Sequence, residues 1–346
     1  MRGSQRQQEQ KRKEGSFFSY RVYLRYLTNI NMKKFIQYIG IGILSILVVV
    51  VVAVIVLAEK DKKLATLLPI YANKESKFIP VLGMQVHYRM EGLDSDTVPL
   101  VLIHGTSSSL HTWDSLSLLL SGKKKIIRFD LPAFGLTGPN KENIYNADVY
   151  NIFVDSVLQA LHVKSCIIAG NSLGGSIAWH YALYNPSRVQ QLILLDASGY
   201  PKKNEKGSLG FKIASMPIIN NLLLWVTPKF LIKKSLEGVF VDKNKITEES
   251  INRYHDLLLR EGNREAALSI FKAGFTPNPT PIKTITKPTL IIWGDQDQLI
   301  NVSNAYLFNK DIKESQLVVL KNVGHTPMEE TPTKVAVAIS SFLKLN

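Results

Sequence analysis

Residues 36–58 read IQYIGIGILSILVVVVVAVIVLA, 23 positions without a charge. As an α-helix rising about 1.5 Å per residue, such a run reaches about 34 Å, enough for a hydrocarbon layer of about 30 Å. A strand of that length would lie far outside the usual range of roughly 3–10 residues. Valine richness is no obstacle, because in lipid the backbone must satisfy its own hydrogen bonds and a lone segment can do so only as a helix. The run predicts a single transmembrane helix. Nine basic residues precede it (Arg2, Arg6, Lys11, Arg12, Lys13, Arg21, Arg25, Lys33, Lys34), and five follow closely (Lys60, Lys62, Lys63, Lys74, Lys77). The positive-inside bias then predicts a single-pass membrane protein with a cytoplasmic N-terminus and everything after Ala58 on the extracytoplasmic side. Val56-Leu57-Ala58 offers a small-residue cleavage site, but a 35-residue leader and so long an apolar run fit an uncleaved anchor better than a signal peptide. The stretch Phe17–Leu27 mixes aromatics with arginines, which suits the headgroup region or a disordered basic tail.

The anchor also accounts for much of the charge. The chain of 346 residues carries +14, and residues 1–63 hold 12 Lys+Arg against 4 Asp+Glu, or +8 of it. An excess concentrated beside an apolar span argues for a membrane partner and against nucleic acid. The apolar content of 45% excludes wholesale disorder. Cys166 is the lone cysteine, so neither an internal disulfide nor a multi-cysteine metal site is available.

After a charged segment at 59–77, expected to be a linker, periodic patterns begin. Phe78–Val81 and Met84–Glu91 flank Leu82-Gly83 and read as a β-hairpin. Apolar strands are expected at Val98–His104, Ile126–Asp130, Cys166–Ala169, Leu192–Asp196, Thr289–Trp293 and Gln316–Leu320. Helical spacing intervenes at Trp113–Leu119, Ala147–Leu161, Leu173–Tyr184 and Ser303–Phe308, and a last helix is expected over Thr333–Leu345. Strands that are apolar throughout and alternate with helices predict a mostly parallel sheet covered on both faces, an α/β architecture. The alternation breaks between Ser198 and Lys287, where helical patterns occupy Gly210–Leu224, Pro228–Gly238, Thr247–Glu261 and Asn263–Ala273. An insertion of that size between two strands is a small helical cap over their carboxyl ends. The expected organisation is a basic segment 1–35, transmembrane helix 36–58, linker 59–77, core 78–199, cap 200–287 and the rest of the core 288–346.

Gly170-Asn171-Ser172-Leu173-Gly174 is a G-x-S-x-G sequence between an expected strand and an expected helix. A serine on so sharp a turn is raised above the sheet, small residues let the backbones approach, and the helix N-terminus faces the reacting centre. A serine hydroxyl needs a base, and the base an orienting acid. Trp293-Gly294-Asp295-Gln296-Asp297 and Gly324-His325-Thr326-Pro327 each follow a strand, at the same edge of the sheet as Ser172. His325 is the expected base and Asp297 the expected acid, with Asp295 holding the turn and Asp196 in reserve. The backbone N–H groups of Leu173 and of Thr106, in His104-Gly105-Thr106, are placed to form an oxyanion hole. His104 reads as a buried structural residue; His87, His111, His162, His180 and His255 show no metal-ligand spacing, and the lysines at 202, 203, 206, 233 and 234 read as a solvated face.

With these pieces assembled, residues 78–346 resemble the α/β-hydrolase fold family, in its cap-bearing branch of serine esterases and lipases. The matching segments are HGTSSSLHTWD, RFDLPAFGLTGP, GNSLGG, LLDASG, WGDQD and GHTPMEETP, in the family's order. The resemblance implies an eight-stranded sheet with the cap inserted before the penultimate strand. It implies Ser172 as nucleophile, Asp297 as acid, His325 as base, and an oxyanion hole of Thr106 and Leu173. Dehalogenases and epoxide hydrolases of the branch carry aspartate at the elbow, so Ser172 argues against both. Cleavage of a carboxylic ester through an acyl-enzyme is expected, with no metal or organic cofactor. Of the apolar cap residues (Phe211, Ile213, Met216, Ile218, Ile219, Leu222–Trp225, Phe230, Leu231, Phe240), some are expected to form the cap's own core and the remainder to line an acyl pocket. With the anchor they suggest lipid esters, as in membrane-anchored monoacylglycerol lipases. A carbon–carbon bond hydrolase is the alternative, since GNSLGG resembles that group's elbow, and a non-catalytic receptor or scaffold is a third.

Overall fold

A computed structural model describes residues 2–201, 216, 219–273 and 278–345. The chain divides into two compact units, residues 1–58 and 59–346. The first is one helix, α1 (Arg2–Leu57), of which Asn31–Leu57 is long and apolar enough to cross a membrane. The helix starts well before the apolar run. The segment 1–35 carries no proline to stop it and is rich in Gln, Lys, Arg and Glu, which lose little freedom in a helix.

The second unit holds one eight-stranded sheet ordered β1-β2-β4-β3-β5-β6-β7-β8. β1 (Ser76–Val81) and β2 (Met84–Gly92) form the hairpin, turned by Leu82 and Gly83, both at positive φ. Two positive φ values in a two-residue loop match the right-handed twist of the flanking strands. β2 runs antiparallel to β4 (Lys125–Phe129). The remaining pairs are parallel through β3 (Leu100–Ile103), β5 (Cys166–Asn171), β6 (Val189–Leu195), β7 (Thr289–Gly294) and β8 (Ser315–Leu320).

Alternation along each strand divides the interior into two cores. Val101, Ile103, Ile168, Leu192, Leu194, Ile291 and Trp293 face one side, with side chains of α4 (Ala147–Ala160), α5 (Leu173–Tyr184) and α9 (Ser303–Asp311). Leu100, Leu102, Ile167, Ala169, Ile193, Leu290 and Ile292 face the other, against α3 (Asp114–Leu120) and α11 (Pro332–Leu343). With both faces dry, such strands must be apolar at every position, which is why they read as continuous runs.

Residues 59–77 differ from the expected linker. They contain α2 (Leu64–Tyr71), whose Leu67 is fully buried, and end in β1. Lys62 and Tyr71 both bond Asp256, and Asp61 pairs with Arg264. Asp61 and Lys62 are thus matched by charges of the cap, and the segment's leucines at helical spacing bury a small core with Leu136 and Leu257. The cap lies between β6 and β7, with α6 (Lys229–Glu237), α7 (Glu248–Leu258) and α8 (Asn263–Ala273). Asn263 ties α8 to the core by donating from Nδ2 to Gly135 O, 3.1 Å. Of the helix expected over Gly210–Leu224, residues 210–215, 217 and 218 lie outside the described residues; Ile219–Leu224 forms a short 3-10 turn.

Candidate active site

Ser172 stands between β5 and α5 at φ 56° and ψ −117°. No other residue type relieves that backbone except glycine, and a side chain there costs about 1–3 kcal/mol. The flanking glycines make the turn possible. A Cβ on Gly170 would sit 2.1 Å from Gly174 O, and one on Gly174 would sit 2.2 Å from Ile103 O. Strand, turn and helix therefore close on one another with no room for a methyl group. Gly105 also packs tightly, though less so, since a Cβ there would meet Asn171 Oδ1 at 3.1 Å and the Ser172 Cβ at 3.2 Å. This brings the Gly105–Thr106 backbone against the serine. The N–H groups of Thr106 and Leu173 have no protein acceptor among the described residues.

His325 and Asp297 come together at the ends of β8 and β7. His325 Nδ1 lies 2.7 Å from Asp297 Oδ2, and both side chains are buried. Asp297 Oδ1 accepts from the N–H groups of Leu299 (2.8 Å) and Ile300 (3.0 Å). With a carboxylate as acceptor, Nδ1 carries the ring proton and Nε2 is left as the basic nitrogen. That Nε2 is buried and has no hydrogen-bond partner. Asp295 points elsewhere, accepting from Asn322 N at 2.7 Å, and so holds the turn.

Asp196 completes the cluster. Its carboxyl is fully buried at the end of β6, with one oxygen accepting from Gly294 N (3.0 Å) and the other without a hydrogen-bond partner. One ligand atom each of Asp196, Asp297 and His325 lies within 4.8 Å of the others. Burial, and next the Asp297 charge, push the Asp196 carboxyl well above the usual carboxylate range. The trio has the composition of a cation site, but a cation on Asp297 Oδ2 would have to displace the proton of His325 Nδ1.

A cleft of about 1090 Å³, part of it open to solvent, joins these groups to the cap. Its lining includes Ser172, Thr106, His325 and Thr326 together with Leu223, Leu231, Leu236, Leu268 and Phe271 of the cap. The apolar cap residues divide between this cleft, the cap's own core and the surface. Trp225 and Phe230 are exposed and Phe240 packs inside the cap, while Phe211, Ile213 and Ile218 lie outside the described residues. Lys233 and Lys234 are exposed, and the lysines at 202, 203 and 206 lie outside the described residues.

Sequence reasoning missed Glu330, in the short helix α10 (Pro327–Glu330). Its buried carboxylate accepts from the N–H groups of Gly324 (2.8 Å), Val241 (3.1 Å) and Asp242 (2.9 Å). His325 in turn donates its backbone N–H to Val239 O, 2.8 Å. The histidine loop and the cap segment 239–242 are thereby one hydrogen-bonded piece. An acid five residues beyond the histidine was the available signal; its partners, some ninety positions away, were not. Of the other histidines, His104 is buried between Gly105 O and Leu131 N, and His87 pairs with Asp130 at 2.8 Å.

A sequence profile of the alpha/beta hydrolase family matches residues 100–338. The chain is 30% identical over 267 residues to the uncharacterized hydrolase YugF of Bacillus subtilis (strain 168), covering 75% of this chain and 93% of that one. It is 27% identical over 258 residues to a 2-hydroxymuconate semialdehyde hydrolase of Pseudomonas sp. (strain CF600), covering 71% and 86%. It is 28% identical over 294 residues to the monoacylglycerol lipase ABHD6 of Mus musculus, covering 76% and 83%.

Proposed function

The chain belongs to the alpha/beta hydrolase family, and from there we propose that it is a membrane-anchored serine hydrolase of carboxylic esters, with Ser172, His325 and Asp297 as its triad. The observation that carries this reading is the free, buried Nε2 of His325, oriented by Asp297 from behind, in a cleft that Ser172 also lines. His325 takes the Ser172 proton as the hydroxyl oxygen attacks the ester carbonyl carbon. The N–H groups of Thr106 and Leu173 accommodate the oxyanion. Collapse expels the alcohol, which receives the proton from His325, and an acyl-enzyme remains. Water, deprotonated by the same nitrogen, adds to the acyl carbon and releases the acid and the serine.

The apolar cleft and the likeness to a monoacylglycerol lipase support lipid or monoacylglycerol esters as the substrate class. Asn31–Leu57 would hold the catalytic unit at a bilayer, with the charge bias favouring its extracytoplasmic side. The likeness to a 2-hydroxymuconate semialdehyde hydrolase supports the second reading, carbon–carbon bond cleavage. A fluorophosphonate should label wild type and not Ser172→Ala, and turnover of p-nitrophenyl octanoate without turnover of a vinylogous dienone acid supports the ester reading. The reverse pattern overturns it, and protease digestion of sealed vesicles tests the side of the membrane.

A further inference from the structure

Three buried side-chain atoms in the lining of the cleft have no hydrogen-bond partner: His325 Nε2, Thr326 Oγ1 and Arg264 Nη1. The first two are neighbours at the reacting end. The third comes from the first turn of α8, whose other residues in the lining, Ala267, Leu268 and Phe271, are apolar.

Arg264 is only 7% exposed, and the rest of its guanidinium is committed. Nε donates to Asp61 Oδ1 at 2.8 Å, Nη2 donates to Glu59 O at 2.8 Å, and Nη2 also lies 2.6 Å from Asp61 Oδ1. That side-on pairing turns the opposite edge, with Nη1, away from Asp61. The adjacent Asn263 fixes the turn by donating to Gly135 O and Leu257 O. Arg264 is therefore rigid before any ligand arrives. A buried donor left empty is destabilising, so a site that keeps one is suited to an acceptor that comes and goes.

We infer that Arg264 Nη1 is a second polar anchor of the cleft, and that it selects esters carrying an uncharged hydroxyl away from the reacting carbonyl. The guanidinium is already compensated by Asp61, so no net positive charge is left to offset a carboxylate. Bringing an ionised group into so apolar a lining is costly without such an offset. A hydroxyl oxygen asks only for one donor. The assignment rests on Ser172 and His325 marking the reacting end.

The test compares full-length protein in nanodiscs on four esters. These are propyl octanoate, 1-monooctanoylglycerol with hydroxyls on the alcohol, propyl 8-hydroxyoctanoate with one on the acyl chain, and 3-octanoyloxypropanoate with a carboxylate. Wild type should favour one of the two hydroxylated esters over propyl octanoate, and which one identifies the part of the substrate that reaches Arg264. Arg264→Met should lower kcat/KM on that ester about tenfold or more, through KM, and leave propyl octanoate within about twofold. Asp61→Asn loosens the clamp but keeps Nη1, so the preference should survive it. Equal losses on both esters in Arg264→Met would reduce Arg264 to a structural clamp and overturn the assignment. So would a wild-type preference for the carboxylate, or none at all, the latter meaning that water fills the place. Binding of 1-O-octylglycerol and of 8-hydroxyoctyl propyl ether, each against octyl propyl ether, reads the anchor on either part of the ligand without any bond cleavage. Discrimination there with no ester turnover would sink the hydrolase reading and keep this one, and turnover without discrimination would do the opposite.

Discussion

Replacing Ser172 by glycine should remove the nucleophile and make the protein more stable. At φ 56° and ψ −117° a residue with a Cβ carries about 1–3 kcal/mol of backbone strain. Glycine adopts these angles freely but adds about 0.5–1 kcal/mol of chain entropy to the unfolded state. The hydroxyl, 8% exposed with the rest of its residue, contributes little to packing. The net gain is about 0.5–2 kcal/mol. Ser172→Ala is the reference, because it loses the hydroxyl and keeps the strain. In a compact unit spanning 59–346, a gain of this size raises the melting temperature by about 1–4 °C. Differential scanning calorimetry of both variants in the same detergent reads the difference, and fluorophosphonate labelling should be absent from both. If the glycine variant melts at or below the alanine variant, the elbow is not strained and the steric account of the motif is wrong.

Asp297→Asn should lower kcat/KM about 10³-fold or more, because the amide no longer enforces the ring proton on His325 Nδ1. Asp196→Asn should stay within about threefold, since burial and the Asp297 charge already raise that carboxyl and so favour its neutral form, which an amide resembles. Equal losses in the two variants would reassign the acid. A methyl group at Gly174 meets the carbonyls of Ile103 and His104 at 2.2 and 2.5 Å, so Gly174→Ala should destabilise by about 1–3 kcal/mol or more and abolish labelling. Labelling at the wild-type rate would contradict that contact. Burial pulls His111 down to about 4, although Asp130 and Asp114 oppose the shift. Between pH 4 and the ordinary histidine range near 6.5 the unfolded chain then binds a proton that the folded chain does not. Stability is full above that window and falls by about 3 kcal/mol as pH drops through it. Denaturant titrations of His111→Gln should show a flatter acid limb, the remaining slope including buried His104; an unchanged slope would refute the assignment.

The sheet was legible because its central strands bury both faces and so announce themselves in consecutive residues, as in Leu100–Ile103 and Leu290–Trp293. The elbow was legible because its requirements are local: two glycines, a serine, and the strand and helix on either side. Contacts between distant segments were not. Nothing near Glu59 or Asp61 signals Arg264, some two hundred positions on, and a charged stretch of 59–77 looks like a tether until its partners are in place. The span had the same blind spot in reverse, since the apolar run marks where lipid would sit and says nothing of where a helix of soluble character begins.

Glu330 bears on how caps can be exchanged within such folds. Its carboxylate clasps the backbone of 241–242 and of 324 together, and residue 239 holds the amide of 325. A transplant that brings a foreign cap through position 242 also replaces the shelf on which the imidazole rests. Chimeras joined after Asp242 keep the host's support for His325 along with the cleft residues between 223 and 239, whereas joints placed earlier exchange both together.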